Sequence, residues 1–146
     1  MIIDLENKVL ANKIRKKILD NRFSSFIGFT ITMVNENSVE GNLIVNKNHT
    51  QQNNFAHGGV MSTLCDTVAG FAAFTKVNTN QFVVTADLRV SYFWPALNSE
   101  VLFAKGWVEK AGNTLHFCES EVYAIRNNKK VVLAKANAVM AIKTEG

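Results

Sequence analysis

Hydrophobic and polar positions repeat with two different periods along this chain. Near the start, apolar residues recur at helical spacing, which predicts an amphipathic helix over about residues 4–20. These residues are Leu5, Val9, Leu10, Ile14 and Ile18. From residue 27 the period becomes two, and two alternating stretches flank the turn-forming residues 35–37, which predicts a β-hairpin. The alternating residues are Ile27, Phe29, Ile31 and Met33, then Val39, Gly41, Leu43 and Val45.

A second helix is predicted in the middle of the chain, over about residues 59–75. Its residues are apolar on nearly all sides, with no evident polar face, so we expect a buried helix. A polar loop, residues 46–54, leads into it through His57-Gly58-Gly59. Four strand-like stretches follow and are separated by turn signals. They are predicted at about residues 84–94, 100–110, 114–125 and 130–143.

This order of elements indicates an α+β fold in which one antiparallel sheet of about six strands wraps around the central buried helix. The N-terminal helix would be an addition to this arrangement. One sheet covers only part of a helix that is apolar all round, so the remaining face is expected to pack on another subunit. No linker or internal repeat is visible, and residues 1–146 are expected to form a single domain.

Composition and charge narrow the function classes. Apolar residues make up 47% of the chain and charged residues 19%, which is ordinary for a globular protein. The net charge of +4 comes partly from a solvated face of the first helix, and nucleic acid is not expected because basic residues do not interleave with aromatic ones. No signal peptide or membrane span is predicted. Cys65 and Cys118 are far apart in apolar surroundings, so we expect free thiols and a cytoplasmic location.

Asp66 is the residue that points to chemistry. It lies inside the apolar central helix, where a carboxylate is costly unless it is paired or used. The Gly58-Gly59 step that opens this helix leaves backbone N–H groups bare, about two turns before Asp66. A base or nucleophile near an anion-stabilising group is half of an acyl-transfer site.

Simpler interpretations of these residues stay open. Asp66 could be an acid that the helix dipole favours, and His57 could be a hydrogen-bonded structural histidine. Cys65 could in principle be a nucleophile, but adjacent helix positions point about 100° apart, so core packing is the better interpretation. His49 and His116 are far from His57 in sequence, and no metal site is predicted.

Residues 55–70 carry a family resemblance. His57-Gly58-Gly59, the nine-residue step to Asp66 and the Ala-Gly that follows resemble the hot-dog fold thioesterases, in particular the PaaI-like acyl-CoA thioesterases. A second stretch, residues 83–96, ends in Pro-Ala and also matches. The resemblance covers about residues 25–143 and implies the hot-dog fold.

The resemblance also implies catalytic roles. Asp66 would be the general base or nucleophile that acts on a thioester carbonyl, and the backbone N–H of Gly59 would polarise that carbonyl. Thr85 would match a hydroxyl that the partner subunit's strand contributes to position water. His57 would orient the loop or the network on the carbonyl side.

Substrate contacts follow from the same resemblance. The family commonly has an asparagine six places before the histidine, and this chain has Gln51 there, although Asn53 or Asn54 could serve instead. Gly58 and Met61 would also contact substrate. The acyl group would enter a cleft between subunits, lined by Met61, Leu64 and aromatic side chains.

The expected function is hydrolysis of an acyl- or aryl-CoA thioester to free acid and CoA, by a hydrolase that acts on thioester bonds. No cofactor is expected beyond the CoA that the substrate carries, and no metal, nucleic acid or membrane partner. The expected assembly is a homodimer or a dimer of dimers with its site at the interface. Two alternatives stay open: a non-catalytic module that binds acyl-CoA, and a hot-dog dehydratase or hydratase.

Overall fold

Seven strands and three α-helices are present in a computed structural model, which describes residues 1–146. Along the chain they are β1 (Ile2–Asp4), α1 (Lys8–Leu19), α2 (Arg22–Ile27), β2 (Thr30–Asn35), β3 (Ser38–Ile44), α3 (Gly58–Phe74), β4 (Gln81–Tyr92), β5 (Val101–Ala111), β6 (Leu115–Arg126) and β7 (Lys129–Thr144). The strands form one sheet in the order β1-β2-β3-β5-β6-β7-β4. Every neighbouring pair is antiparallel except β1 with β2.

The predicted α+β architecture is confirmed, because α3 packs against the six long strands β2 to β7. The core joins the buried side of α3 to the inner face of the sheet. The packing is close enough that Gly106 of β5 has no room for a side chain. A Cβ there would lie 2.5 Å from the carbonyl carbon of Val68 on α3.

The N-terminal region differs from the prediction in its boundaries. The first helix begins only at Lys8, because the Asn7 side chain accepts a hydrogen bond from the Leu10 N–H at 3.0 Å and caps the helix there. Residues 2–4 instead form β1, a seventh strand that pairs in parallel with β2. Ile27, which the alternation placed in a strand, ends α2, and Gly28 caps that helix with a φ of 77°.

Strand β2 also departs from simple alternation. A register shift lies between Ile31 and Met33, so the next buried residue after Ile31 is Val34 and not Met33. Such a bulge inserts one residue into a strand and exchanges the faces beyond it. The alternation that the sequence predicts across Met33 is therefore wrong.

The expectation that α3 has no polar face is wrong as well. One side of the helix is only partly buried and carries small and polar residues at helical spacing. They are Ser62, Thr63, Asp66, Thr67 and Gly70. This stripe runs beside β4, which has no neighbouring strand on its outer edge.

No helix is both long and apolar enough to cross a membrane.

Candidate active site

Asp66 and Thr85 form the centre of the site. Thr85 Oγ1 donates a hydrogen bond to Asp66 Oδ1 at 2.7 Å, and no other hydrogen bond reaches the carboxylate. A bulge in β4, at the step from Thr85 to Asp87, interrupts the regular pairing with β7 at this point. The resemblance assigns such a hydroxyl to the partner subunit, whereas here both groups belong to one chain.

The backbone N–H groups at the start of α3 differ in whether they are hydrogen-bonded. The Gly59 N–H donates to His57 Nδ1 at 2.8 Å, so that nitrogen carries no proton and His57 caps the helix. The Val60 N–H bonds to the His57 carbonyl at 2.9 Å. The Gly58 N–H has no acceptor in the chain. The donor that the resemblance assigns to the substrate is thus engaged by His57, and its neighbour is free.

A second histidine, His49, anchors the loop before His57. The His57 N–H bonds to the His49 carbonyl at 2.8 Å. His49 itself is buried, and its Nδ1 accepts from the Asn46 N–H at 3.0 Å. Its Nε2–H can then donate to the Ile27 carbonyl at 2.7 Å. Sequence reasoning gave His49 no role, because its partners are set by how the loop lies against α2.

Gln51 and Asn54 lie in a tight turn away from the carboxylate. The Gln51 side-chain oxygen accepts from the Asn53 N–H, and the Asn54 N–H bonds to the Gln51 carbonyl at 3.0 Å. Asn54 has a φ of 64°, in the left-handed region that asparagine tolerates. Neither side chain hydrogen-bonds to Asp66 or to the start of α3, so their substrate contacts stay a prediction.

A cavity of about 350 Å³ opens beside Asp66, between α1, α3 and β4. Its apolar lining residues are Phe71, Phe74, Phe82, Val83 and Met140. Its other lining residues are Lys17, Asn21, Asp66, Thr67, Gly70 and Thr85. Met61 and Leu64 were expected here, but both are buried in the core and do not line it. Phe71 and Phe74 lie five and eight residues after Asp66, which is not a same-face helical spacing, so no signal in the sequence indicated that they line the cavity.

Cys65 is not available as a nucleophile. Its side chain is fully buried, and burial raises the pKa of the thiol to about 11. Burial likewise raises the pKa of Cys118 to about 12. Both thiols stay protonated at neutral pH and pack in the core, as the sequence indicated. No group of three or more His, Cys, Asp or Glu side chains is placed to hold a metal ion.

Exposed aromatic residues lie next to the helix start. Tyr92, Phe93 and Trp94 at the end of β4 are each about half exposed. A Cβ on Gly58 would lie 3.4 Å from the Tyr92 ring, so the end of β4 borders the free Gly58 N–H. Asp66, Thr85, Gly58, Gly59 and His57 therefore lie along one partly exposed side of α3.

Solved structures of other proteins share this fold. A thioesterase family protein from Silicibacter pomeroyi is 26% identical, with a TM-score of 0.87 over 92% of this chain and 98% of that one. The PaaI protein of E. coli, from the phenylacetic acid degradation operon, is 15% identical, with a TM-score of 0.82 over 95% of each chain. A Streptococcus mutans protein bound to acetyl-CoA is 22% identical, with a TM-score of 0.70 over 80% of this chain and 90% of that one.

Sequence comparison gives the family directly. No curated protein matches the chain. Residues 53–130 match the model of the thioesterase superfamily, and this match includes the whole of α3 and the strand that carries Thr85. Since the match spans more than half of the chain and the hot-dog fold agrees with it, the chain belongs to the thioesterase superfamily.

Proposed function

We propose that this protein is an acyl-CoA thioesterase, which hydrolyses an acyl- or aryl-CoA thioester to a free acid and CoA. Family membership supports thioester hydrolysis as the reaction class. The observation that carries the proposal is the Asp66–Thr85 pair, which lies beside a cavity of about 350 Å³ and about two turns after the free Gly58 N–H.

Asp66 supplies the base or the nucleophile. The Thr85 hydroxyl holds Oδ1, which leaves Oδ2 free to accept a proton from water or to attack the carbonyl itself. In the first case the water oxygen bonds to the carbonyl carbon, the C–S bond breaks, and the CoA thiolate takes up the proton from Asp66. General-base assistance of this kind typically contributes about 10²–10⁴ in rate.

The start of α3 supplies the carbonyl donor. The Gly59 N–H is the expected donor, and it becomes available when the exposed His57 ring turns away from it. The adjacent Gly58 N–H is already free and can act in the same way. One such donor typically contributes about 10²–10³ in rate.

The direction of the substrate follows from the position of the cavity. The reacting carbon lies between the start of α3 and Asp66, and the cavity continues past Asp66 toward Phe74 at the other end of the helix. A volume of about 350 Å³ is too small for CoA but suits an acyl group, and its apolar wall favours one. CoA then extends toward His57. The Streptococcus mutans protein bound to acetyl-CoA supports a CoA thioester as the ligand.

The proposed assembly is a homodimer or a dimer of dimers. β4 is a 12-residue strand with an unpaired edge, and such edges are usually paired or covered. Exposed apolar residues, Val84, Tyr92, Phe93 and Trp94, lie on or just beyond it. A second copy that pairs along β4 would cover this edge and shield the partly exposed side of α3 that carries Asp66.

A non-catalytic acyl-CoA-binding module is the second candidate. The bond from the Gly59 N–H to His57 Nδ1 favours it, because the expected carbonyl donor is occupied in the absence of substrate. In such a module the same cavity would hold the acyl group, and Asp66 would be dispensable.

Thiol release from short, medium, long and aryl CoA thioesters distinguishes the two. We expect turnover of some thioesters, and a loss of at least about 10²-fold in Asp66→Asn. Asp4→Asn is the matched control, since Asp4 is exposed on β1 at the opposite edge of the sheet from β4, makes no ion pair and does not line the cavity. Binding without thiol release by the unmodified protein would make the binding module the function.

A further inference from the structure

Gly70 is a glycine that the fold itself does not require. It lies inside α3 with no left-handed backbone angle. A Cβ there would meet one atom, Met140 Cε at 3.9 Å, which is ordinary contact. Gly106, in contrast, would bring a Cβ within 2.5 Å of backbone. Because glycine inside a helix lowers stability relative to alanine, another reason is needed for Gly70.

The space beside Gly70 belongs to the cavity next to the reactive pair. Gly70 lies one helical turn after Asp66, on the same side of α3, and both line the cavity. Met140, the one neighbour a side chain would touch, also lies 3.5 Å from Thr85 Oγ1 through its sulfur. A side chain at position 70 would therefore project into the volume directly beside Asp66 and Thr85.

The N-terminal helix α1 borders the far end of this cavity, where Lys17 lines it. Lys13 of α1 donates to the carbonyls of Thr79 and Gln81 at 2.8 and 2.9 Å, and its Nζ lies 5.5 Å from the Phe74 ring centre. These contacts hold α1 against the segment that leads into β4. From Asp66 to Phe74 the helix rises about 12 Å, so the cavity is long enough for a medium-chain or aryl acyl group.

We propose that Gly70 determines which acyl groups this site accepts, by leaving open the passage from Asp66 into the cavity. Medium-chain and aryl acyl groups pass Gly70 and reach the phenylalanine-lined end, whereas an acetyl group ends before it. This inference rests on the proposed function, because it assumes that the cavity holds the acyl part of the substrate.

The test measures kcat/KM for acetyl-, butanoyl-, octanoyl- and phenylacetyl-CoA in the unmodified protein, Gly70→Ala and Gly70→Leu. The unmodified protein is expected to turn over the longer and aryl thioesters. In Gly70→Leu their kcat/KM is expected to fall about 10–200-fold, while that of acetyl-CoA falls far less. Gly70→Ala gives an intermediate loss and keeps the test valid if leucine disturbs folding. Phe71→Leu enlarges the cavity and is expected to shift the preference toward bulkier acyl groups.

Three results would overturn the proposal. One is an equal loss for all thioesters, and another is no loss for any. The third is a change of assembly state in Gly70→Ala by sedimentation, which would assign Gly70 to packing between copies. If the unmodified protein hydrolyses no thioester, the proposed function fails, and calorimetric binding of octanoyl-CoA decides about Gly70. Weaker binding in Gly70→Leu then supports its role, and unchanged binding refutes it.

Discussion

Thr85 holds the carboxylate of Asp66 by a 2.7 Å hydrogen bond, although the two residues are 19 positions apart and lie on different elements. Asp66 faces β4 from the partly buried side of α3, and the hydroxyl reaches it at the β4 bulge. The bond orients one carboxylate oxygen and leaves the other free. We therefore expect Thr85 to position Asp66 within the same chain.

Removal of the Thr85 hydroxyl tests this role. In Thr85→Val, which keeps the shape, kcat is expected to fall about tenfold or more, since a hydrogen bond to a charged group contributes about 1.5–3 kcal/mol. KM should change little, because valine keeps the shape of the cavity wall that Thr85 forms. Thr85→Ser should restore kcat. Equal kcat values for valine and serine would show that the hydroxyl has no part in turnover.

His57 is expected to contribute to stability as the cap of α3. His57→Ala removes the acceptor of the Gly59 N–H and should lower the free energy of unfolding by about 1 kcal/mol. Asparagine is a favoured capping residue whose side-chain oxygen can accept the same N–H, so His57→Asn should preserve stability. Urea denaturation of both variants measures the difference. A similar loss in both would mean that the ring is needed for more than the cap.

The ion pair between Arg126 and Glu100 should stabilise the turn beside the site. Arg126 bonds to both Glu100 oxygens, at 2.7 and 2.8 Å, and to the Pro95 carbonyl at 2.8 Å. The Ala96 carbonyl in that turn accepts the Ala56 N–H, next to His57. Arg126→Met should cost about 1.5–3 kcal/mol of unfolding free energy at neutral pH.

The effect of this ion pair should depend on pH. Burial by itself would raise the pKa of Glu100, but the hydrogen bonds from Arg126 and from the Leu97 N–H outweigh it and hold the pKa below 4.5. Its stabilisation is therefore complete above pH 4.5 and is lost as the pH falls through the lower folded value. The difference between Arg126→Met and the unmodified protein should narrow in acid, and a difference independent of pH would contradict this assignment.

His116 should make the fold sensitive to mild acid. It is buried on β6, and its Nδ1–H donates to the Ala73 carbonyl at 3.1 Å. Burial lowers the pKa of His116 below 6.5, so the unfolded chain takes up this proton first. Stability is then present above pH 6.5 and declines below it, by at most about 1.4 kcal/mol per pH unit. His116→Asn keeps a donor near Nδ1 and should flatten the decline; an unchanged slope would assign it to other groups.

The sequence by itself determined the six long strands, the central helix and the position of the candidate catalytic carboxylate. Alternation and turn signals located the six long strands, apart from Ile27 and Met33, and the apolar run located α3 to within a residue at each end. Asp66 and the Gly58-Gly59 step were evident because both are local features: an acid in an apolar helix, and a helix start without side chains. Such features depend on neighbours within one or two turns, which a sequence shows directly.

Only the tertiary structure decided the partners. It paired Asp66 with Thr85, and it placed Phe71 in the cavity wall while Met61 went into the core. These outcomes depend on strand bulges and on which face of α3 the sheet covers. Both result from long-range packing, in which residues far apart in sequence compete for the same space, and no local pattern records the result.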